Sequence, residues 1–234
     1  MQKAGTTNRK MKKIAILFLG LLMSITTFSQ EADSSNNISE AKSLLDNVSE
    51  KMGAYKNMYI GFSQTLSNEE AGIKEGDEPP IRGVIHLQGE KYNLDYLGNK
   101  FIYDGKKLYI INNDEKEISI SDGDIEDTDG FIYPSKLLTF YKEGYNFKMG
   151  TLKNSNGRKI QFVHLIPIDS TSDIVEVQLG FDAKTKHIYK LIQIGANSSK
   201  TTFTITTFKS NQSISENLFT FDKAKYEKLK YLID

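Results

Sequence analysis

Alternation of apolar and polar residues along several short runs is the feature that most constrains the fold. The clearest run is VEVQLGF at residues 175–181, where every second side chain is apolar and Glu176 and Gln178 lie between them. A period of two is typical of a β-strand with one buried face. Shorter runs of the same kind occur at residues 83–87, 92–96, 116–121 and 201–208. The pattern predicts about ten strands in an antiparallel meander that begins near Ile81.

Turn signals separate these runs. Asp104-Gly105 and Asn156-Gly157 favour tight hairpins, because both central positions of such turns need positive φ. A two-residue turn at Asp104-Gly105 would pair Phe101 with Leu108 across the hairpin. Both faces of that hairpin are apolar, so we expect it to be covered on both sides. A twisted antiparallel sheet of about ten strands tends to curl or close with its apolar face inward.

Helical periodicity is strongest near the N-terminus. Residues 37–55 are predicted to form a long amphipathic helix, because apolar residues recur there at steps of three and four. Asn37 could cap its start, with Glu40 three residues later. The apolar stripe consists of Ile38, Ala41, Leu45, Val48, Met52 and Tyr55. A short helix is predicted at residues 134–141, since a proline fits the first helical turn, and the acidic residues 69–80 are interpreted as a mobile loop.

The first 29 residues have the pattern of a secretory signal peptide. A basic start is followed by an apolar core at residues 14–25 and by small residues at the expected cleavage positions. The apolar core is too short for a membrane span, although an uncleaved anchor is the alternative. We therefore predict a periplasmic protein with a signal peptide at residues 1–29, a flexible tether at 30–36 and a single domain at 37–234.

Composition excludes several classes of protein. The chain contains no cysteine, so no lipid anchor, disulfide framework or thiolate metal site is expected. Of its 30 basic and 30 acidic residues, the first 29 positions hold five basic and no acidic ones, which leaves a mature chain of 25 basic and 30 acidic residues. Its net charge of about −5 is unlike that of nucleic-acid-binding proteins, which are usually basic. A nucleic acid is therefore not an expected partner.

Motifs for catalysis or metal binding are absent from the sequence. His86, His164 and His187 are far apart, and we find neither a phosphate-binding glycine loop nor a nucleophile elbow. The acidic residues 122–130 resemble a calcium loop, but the glycine is out of register and the glutamate at position twelve is missing. A solvated acidic turn is the preferred interpretation. We therefore expect no cofactor, no metal ion and no enzymatic activity.

Tyrosine-rich strands are the more informative feature. In KYNLDY at residues 91–96, Tyr92, Leu94 and Tyr96 share one face of the predicted strand. Such a face is either ordinary core or the wall of a ligand cavity. From the residues alone, ordinary core is the preferred interpretation and a cavity wall is the alternative.

Seven segments in a fixed order indicate a family resemblance. They are AKSLLDNVSEKMGAYKNMYIGFSQ (41–64), RGVIHLQGEKYNLDY (82–96), IYDGKKLYII (102–111), YPSKLLTFYKEGYNFKM (133–149), VHLIP (163–167), NQSISENLFTFD (211–222) and LID (232–234). Together they resemble the family of periplasmic outer-membrane lipoprotein carriers, the LolA-like proteins, in its Bacteroidota-type branch. The resemblance runs over nearly the whole mature chain.

The resemblance implies both a fold and a function. The fold would be of the α+β class: an unclosed antiparallel barrel, or strongly curved sheet, of ten to eleven strands, with an N-terminal helix and short helices as a lid over a hydrophobic cavity. The protein would bind the acyl chains of lipoproteins or related lipids and ferry them from the inner to the outer membrane. The alternative is a sensor or interaction module on the same fold, without onward transfer.

The same resemblance implies partners and site residues. Partners would be a releasing complex in the inner membrane and an acceptor in the outer membrane, with transient contact to the membrane surface and a monomeric carrier. Residues expected to line the cavity are Ile85, Leu87, Tyr92, Leu94, Tyr96, Phe101, Leu108, Ile110, Ile118, Ile120, Val175, Val177, Leu179, Phe181, Phe203 and Ile205. Lid candidates are Leu45, Val48, Met52, Leu137, Leu138, Phe140 and Tyr141.

The chain departs from the family pattern at two places. Enterobacterial members usually carry Lys-Arg-Pro near the first hairpin, and the arginine helps to hold the lid, whereas this chain has Gln88-Gly89-Glu90 there. Arg82 is a possible substitute for that arginine. The tryptophan that follows the family's Asp-Gly-Lys turn is Tyr109 in this chain.

Overall fold

The computed structural model of the protein describes residues 29–124 and 136–234. The predicted signal peptide lies almost entirely outside this range, as does most of the acidic run 122–130. The strands in chain order are β1 Met58–Ser67, β2 Ile81–Gln88, β3 Lys91–Tyr96, β4 Asn99–Tyr103, β5 Lys107–Asn112, β6 Glu117–Asp122, β7 Tyr145–Ser155, β8 Arg158–Pro167, β9 Ile174–Asp182, β10 Ile188–Gly195, β11 Lys200–Ser210 and β12 Leu232–Ile233. The helices are α1 Ser29–Gly53 and α2 Lys223–Lys228, with short 3₁₀ helices at Phe140–Lys142 and Glu216–Phe219.

All twelve strands belong to one sheet, in the order β12-β6-β5-β4-β3-β2-β1-β11-β10-β9-β8-β7. Neighbouring strands are antiparallel except β12, which is parallel to β6. The edge strands β7 and β12 do not pair with each other, so the predicted unclosed sheet is confirmed. The predicted strand count is too low, because the alternation misses β1 and because β12 has only two residues, too few to show a period.

The long N-terminal helix begins earlier than its apolar stripe suggests. Residues 30–36, predicted to be a flexible tether, belong to α1, and their sequence contains neither glycine nor proline. Asn37, predicted to cap the helix, lies inside it, and its Oδ1 accepts a hydrogen bond from the Met149 backbone N–H of β7 at 2.5 Å. The central part of the predicted stripe is buried: Ala41, Leu45, Val48 and Met52.

The second predicted helix is much shorter than expected. Within residues 134–141, the described part begins at Lys136 and consists of turns that lead into the 3₁₀ helix Phe140–Lys142. Glu143, the residue after this helix, is already extended, and Gly144 follows with φ of 82°, a conformation that favours glycine. The acidic residues 69–80 form turns with a bridge between Asn68 and Ile73, and their mobility stays a prediction.

The β4–β5 hairpin has a different register from the predicted one. Phe101 pairs with Ile110 and not with Leu108, because the connection is wider than a two-residue turn. The Asp104 carboxylate accepts hydrogen bonds from the backbone N–H groups of Lys106 and Lys107, both at 2.8 Å, which stabilises the wider turn. The shift is an even number of residues, so every side chain keeps its predicted face.

Both faces of the sheet are covered around this hairpin, as predicted. We call the face that α1 packs against the inner face and the opposite one the outer face. The inner cluster includes Leu108 and residues of α1, whereas the outer cluster has Ile102, Ile111, Ile118 and Tyr226 as buried members. The C-terminal segment after β11 supplies the outer cover, with Phe221, Tyr226, Tyr231 and Ile233 against the strands.

Candidate functional site

A cavity of about 120 Å³ lies between the inner face of the sheet and its helical cover. The lining residues are Ile60, Phe62, Ile85, Leu94, Tyr96, Leu137, Ile188, Leu191, Gln193, Phe203 and Ile205. Apart from the Gln193 amide and the Tyr96 hydroxyl group these side chains are apolar, so the cavity suits an apolar ligand. Phe203 and Ile205 are only partly buried, so the cavity is not sealed from solvent.

Three aromatic side chains form a row across the cavity wall. The ring centroids of Tyr96 and Phe62 are 5.5 Å apart, and those of Phe62 and Phe203 are 5.9 Å apart. Phe62 can lie over β2 only because residue 83 is glycine. A Cβ atom added to Gly83 would lie 2.2 Å from Cζ of Phe62, far inside van der Waals contact.

The cover of the inner face consists of α1 and residues 136–142. Of these residues Leu137 lines the cavity, and α1 packs against the same segment. The Ser49 hydroxyl group donates a hydrogen bond to the Leu138 carbonyl at 2.8 Å, and the Tyr141 hydroxyl group donates to Asp46 Oδ1 at 3.3 Å. Burial raises the pKa of Tyr141 above its ordinary value, so this hydroxyl group stays protonated. Apolar packing makes up much of the remaining contact between the two segments. We expect such a cover to move with the loss of few hydrogen bonds.

The C-terminal end of α1 is held against the turn that precedes β10. Lys51 Nζ donates to the Thr185 carbonyl at 2.6 Å. The Tyr55 hydroxyl group and His187 Nε2 are hydrogen-bonded at 2.8 Å, and the His187 ring lies 4.1 Å from that of Phe208. Burial and, secondarily, the Lys51 charge lower the pKa of His187, so the ring is neutral at neutral pH.

The structure places most of the predicted cavity residues on the inner face. Some of them line the cavity, and the others pack in the cluster around it. Those that line the cavity are Ile85, Leu94, Tyr96, Phe203 and Ile205. Those that pack in the inner cluster around it are Leu87, Tyr92, Phe101, Leu108, Ile110, Val177, Leu179 and Phe181. The lid candidates Leu45, Val48, Met52, Leu137, Leu138, Phe140 and Tyr141 pack in the same cluster.

Three predicted cavity residues lie elsewhere, which corrects their assignment. Ile118 pairs with Ile111 and Ile120 with Tyr109, so both isoleucines share the outer face with those residues. Alternation shows that residues share a face but not which face it is, and here both faces are apolar. Val175 lies at the start of β9, where the pairing with β10 is irregular, and it is 46% exposed whereas the preceding Ile174 packs against the inner cluster.

Several lining residues were not predicted. Ile60 and Phe62 belong to β1, which the alternation analysis did not assign as a strand although MYIGF has the right period. Ile188, Leu191 and Gln193 belong to β10, whose two faces are both partly apolar, so periodicity does not single out an inner face.

Tyr92 and Tyr96, which share one face, differ in what their hydroxyl groups do. Tyr92 is completely buried and donates a hydrogen bond to Asp124 Oδ1 at 2.6 Å. Burial and this hydrogen bond raise its pKa far above the ordinary value. The Tyr92 hydroxyl group is therefore occupied by a hydrogen bond within the protein. Tyr96, by contrast, lines the cavity, and burial alone raises its pKa.

The histidines are dispersed in the structure. His86 lies on β2 against the ring of Tyr59 at 4.9 Å, and His164 on β8 is paired with Glu176. Within residues 29–124 and 136–234, no three His, Asp or Glu side chains are grouped so that they could hold a metal ion. No helix in the described part of the chain combines the length and apolar character that a membrane span requires.

The residues considered in connection with the family's lid-holding arginine, 88–90 and Arg82, lie away from the cover. Gln88, Gly89 and Glu90 form the exposed turn between β2 and β3. Arg82 is exposed on β2, where it alternates with the inward residues Gly83 and Ile85 and therefore belongs to the outer face. Hydrogen bonds from Ser49 and Tyr141, together with apolar packing, join the two cover segments in this structure.

Comparison with known proteins identifies a family model that matches the chain. The model of the outer membrane lipoprotein carrier protein LolA matches residues 94–222, which is more than half of the chain. No curated protein sequence matches the chain.

One solved structure shares the fold at low sequence identity, and others are similar over most of this chain. An uncharacterized conserved protein from Thermus thermophilus superposes with a TM-score of 0.55 at 8% identity, over 83% of this chain and 98% of that one. A putative outer membrane lipoprotein-sorting protein domain from Vibrio parahaemolyticus gives 0.44 at 13% identity, over 82% and 100%. The MucA/MucB complex of Pseudomonas aeruginosa gives 0.39 at 13% identity, over 78% and 61%.

Proposed function

Because this chain belongs to the family of the outer membrane lipoprotein carrier protein LolA, we propose that it is a periplasmic carrier of acyl chains. It binds the acyl chains of lipoproteins or related lipids in the inner-face cavity and ferries them from the inner to the outer membrane. A releasing complex in the inner membrane and an acceptor in the outer membrane are the proposed partners. The carrier acts as a monomer with transient contact to the membrane surface.

The observation that carries this proposal is the apolar cavity beneath a cover held by few hydrogen bonds. An apolar cavity of about 150 Å³ is known to stay dry and to hold a benzene ring. The cavity here, at about 120 Å³, has room for only part of an acyl chain. Loading a whole chain therefore requires α1 and residues 136–142 to move away from the sheet, and these segments would then cover the ligand.

The energetics explain why such a carrier needs an apolar site and no nucleotide. Burial of each methylene group is worth about 0.8 kcal/mol, so a 16-carbon chain resists entering water by roughly 12 kcal/mol. A wall of aliphatic and aromatic side chains offsets this cost by providing comparable apolar surface. Release then requires only an acceptor with a slightly better site, since a ligand shifts an equilibrium by its difference in affinity.

A direct test is to purify the protein from the periplasmic fraction and to analyse its ligands by native mass spectrometry and lipid extraction. We expect acylated peptides or long-chain lipids, chemically unchanged, at up to one per protein. A purified protein that neither contains nor takes up any acyl ligand would contradict the proposal. A chemically altered ligand would instead indicate an enzyme, which we propose this protein is not.

A charged residue in the cavity wall should separate binding from folding. Ile205 lines the cavity and is partly exposed, so Ile205→Glu places a carboxylate beside the ligand with little damage to the core. We expect loss of acyl-chain uptake in a fluorescent fatty-acid binding assay. Val175→Glu is the matched control, because Val175 is exposed and outside the cavity, and it should bind like the wild type.

The alternative function is that of a sensor or interaction module that binds a lipid or protein segment without passing it on. The observation that favours it is a set of exposed apolar residues at the end of the sheet where β1 ends: Leu66, Ile73, Leu97, Ile166, Ile168 and Val175. A transfer assay from loaded protein to acceptor vesicles or membranes distinguishes the two functions. Transfer of the ligand supports the carrier, whereas retention supports the sensor.

A further inference from the structure

Strand β7 forms one edge of the sheet and is long enough to pair with another chain. It has 11 residues, whereas β12 at the opposite edge has 2. The Gly144 carbonyl accepts a hydrogen bond from the Ile168 N–H at 2.9 Å, which fixes the residues of β7 that bond to β8. Because backbone groups alternate in direction along a strand, Phe147 and Met149 direct their N–H and C=O groups away from β8. Such groups are a template for an added strand.

The cover of the inner face also covers this edge. Asn37 Oδ1 of α1 accepts a hydrogen bond from the Met149 N–H at 2.5 Å, so a side-chain amide takes the place that the carbonyl group of a neighbouring strand would have. The second cover segment meets the edge as well, since the ring centroids of Tyr141 and Phe147 are 6.5 Å apart. A strand therefore cannot pair with Met149 while α1 is in place.

Movement of the cover would expose this edge. The cavity has room for only part of an acyl chain, so loading requires α1 and residues 136–142 to move away from the sheet. That movement separates Asn37 from Met149 and Tyr141 from Phe147. An extended polypeptide matches successive N–H and C=O groups at the spacing of a strand, because its own backbone groups repeat at the same spacing.

The side chains of β7 indicate what such a polypeptide should carry. Phe147 and Met149 pack against the apolar cluster of the inner face, so the residues paired with them should be apolar. Lys148 lies between them on the outer face and is exposed, so an acidic residue opposite it would form an ion pair. The pairing with β8 shifts between Met149 and Leu152, which ends the regular part of the edge. The complement is therefore a short segment of alternating apolar and acidic residues.

We propose that the edge of β7 is a docking site for an extended acidic segment of a partner protein, and that α1 blocks this site until an acyl chain is loaded. The segment runs antiparallel to β7, bonds to the backbone of Phe147 and Met149 and places an acidic residue beside Lys148. This inference rests on the proposed carrier function and adds to it a means by which a partner distinguishes the loaded carrier from the empty one.

The test measures binding of a fluorescent peptide of alternating valine and glutamate residues to the full-length mature protein. Fluorescence anisotropy gives its affinity for the ligand-free protein and for the protein saturated with palmitic acid. We expect at least about tenfold tighter binding to the loaded protein, because the closed state cannot pair with the peptide. The control peptide has N-methylated valines, which removes the N–H groups that would face β7 and keeps every charge, so it should not bind.

Substitutions test the block and the charge separately. Asn37→Ala removes the hydrogen bond that holds α1 to the edge, so the ligand-free protein should bind the peptide about fivefold more tightly. Asn47→Ala, at an exposed position of the same helix, is the matched control and should leave the affinity unchanged. Lys148→Glu should weaken binding of this peptide to the loaded protein and strengthen binding of a peptide of alternating valine and lysine residues.

The possible outcomes separate this inference from the proposed function. Failure of the wild-type protein to bind palmitic acid contradicts the proposed function itself. If palmitic acid binds but the peptide binds neither state, or binds both states equally, the inference is overturned and the carrier function stays intact. Equal binding of the N-methylated peptide also overturns it, because the contact is then not strand pairing. Preferential binding to the loaded protein, with slower hydrogen exchange of the Phe147 and Met149 amides, supports the inference.

Discussion

The inner and outer faces of the β4–β5 hairpin are both apolar, yet they are covered in different ways. On the outer face, Tyr109 stacks on Phe221 at 4.5 Å and Phe221 on Tyr226 at 5.4 Å. The same segment is fixed by β12, where Asp234 N–H donates to the Ile118 carbonyl at 3.0 Å. On the inner face, α1 and residues 136–142 pack over the strands through apolar contacts and leave a cavity.

This difference shows that the composition of a strand does not decide whether its apolar face becomes core or binding site. The segment that packs over the face decides which of the two it becomes. On the outer face an aromatic stack anchored by strand pairing buries Ile102, Ile111 and Ile118, and the groove at its edge is lined by polar side chains such as Asn93, Lys100 and Asp222 as well as by apolar ones. On the inner face the cover leaves a cavity that is almost entirely apolar. Four predictions test this comparison, from the largest expected effect to the smallest.

Loss of an aromatic ring from the outer cluster should have the largest effect. We expect Tyr226→Ala to lower the free energy of unfolding by about 3 kcal/mol, because it removes a buried ring that stacks on Phe221. Ile205→Ala in the cavity wall should lower it by only about 1 kcal/mol, since that side chain is partly exposed and borders a void. Urea unfolding followed by circular dichroism measures both. Equal losses would mean that the two faces are packed alike.

Filling the space above Gly83 should damage the inner face specifically. The added methyl group of Gly83→Ala collides with the Phe62 ring, so the ring must move into the cavity or the strands must separate. We expect a loss of about 1–3 kcal/mol in the free energy of unfolding and weaker acyl-chain binding. Gly53→Ala is the control, because no atom lies within 4 Å of its added Cβ. Unchanged ligand binding in Gly83→Ala would show that Phe62 is not part of the binding wall.

Weakening the cover should affect its motion more than the stability of the sheet. Ser49→Ala removes the hydrogen bond to the Leu138 carbonyl, which contributes about 1 kcal/mol. We expect faster amide hydrogen exchange in residues 136–142 and unchanged exchange in the outer cover. Ser43→Ala, at an exposed position of α1, is the control. Faster exchange in both covers would indicate that they open together and would remove the distinction between them.

A change of pH should produce the smallest effect, at the end of α1. The pKa of His187 is lowered in the folded protein by burial and by Lys51, with Asp182 opposing. The unfolded chain therefore binds the proton more tightly, and the stability contributed by neutral His187 is lost as the pH falls below about 6.5 through the lower folded value. We expect the melting temperature to drop between pH 7.5 and 5.

The control for the pH effect is His187→Gln, which should show a smaller drop over the same range. His86 also has a pKa lowered by burial, and it remains in both proteins, so the difference between their melting curves isolates His187. Identical pH dependence in the two proteins would show that folding does not lower the pKa of His187.

Much of the sheet could be predicted from the sequence, because alternation and turn residues are local signals. Val177, Leu179 and Phe181 were assigned to one buried face and are buried there. Ile118 and Ile120 show the limit, since an equally clear alternation belongs to the outer face. Which face is inward depends on the distant segment that covers it, and no local pattern contains that information.

The candidate site was less predictable than the fold for the same reason. Ile60 and Phe62 could be assigned to the cavity wall only once β1 was placed between β2 and β11, since the residues of β11 are far away in sequence. The wider turn at Asp104 depends on a side-chain carboxylate that competes with the two-residue alternative.

The central position of β1 also has a consequence for how the protein reaches its native state. Met58 pairs with Ser210, and Leu232 pairs with Glu117, so contacts that complete the sheet join residues more than a hundred positions apart. Chains with many such distant contacts fold slowly. Strands β2 to β6 are made before the residues that cover their outer face, and that apolar surface stays exposed until the last part of the chain arrives. We therefore expect the newly made chain to depend on folding helpers during this interval.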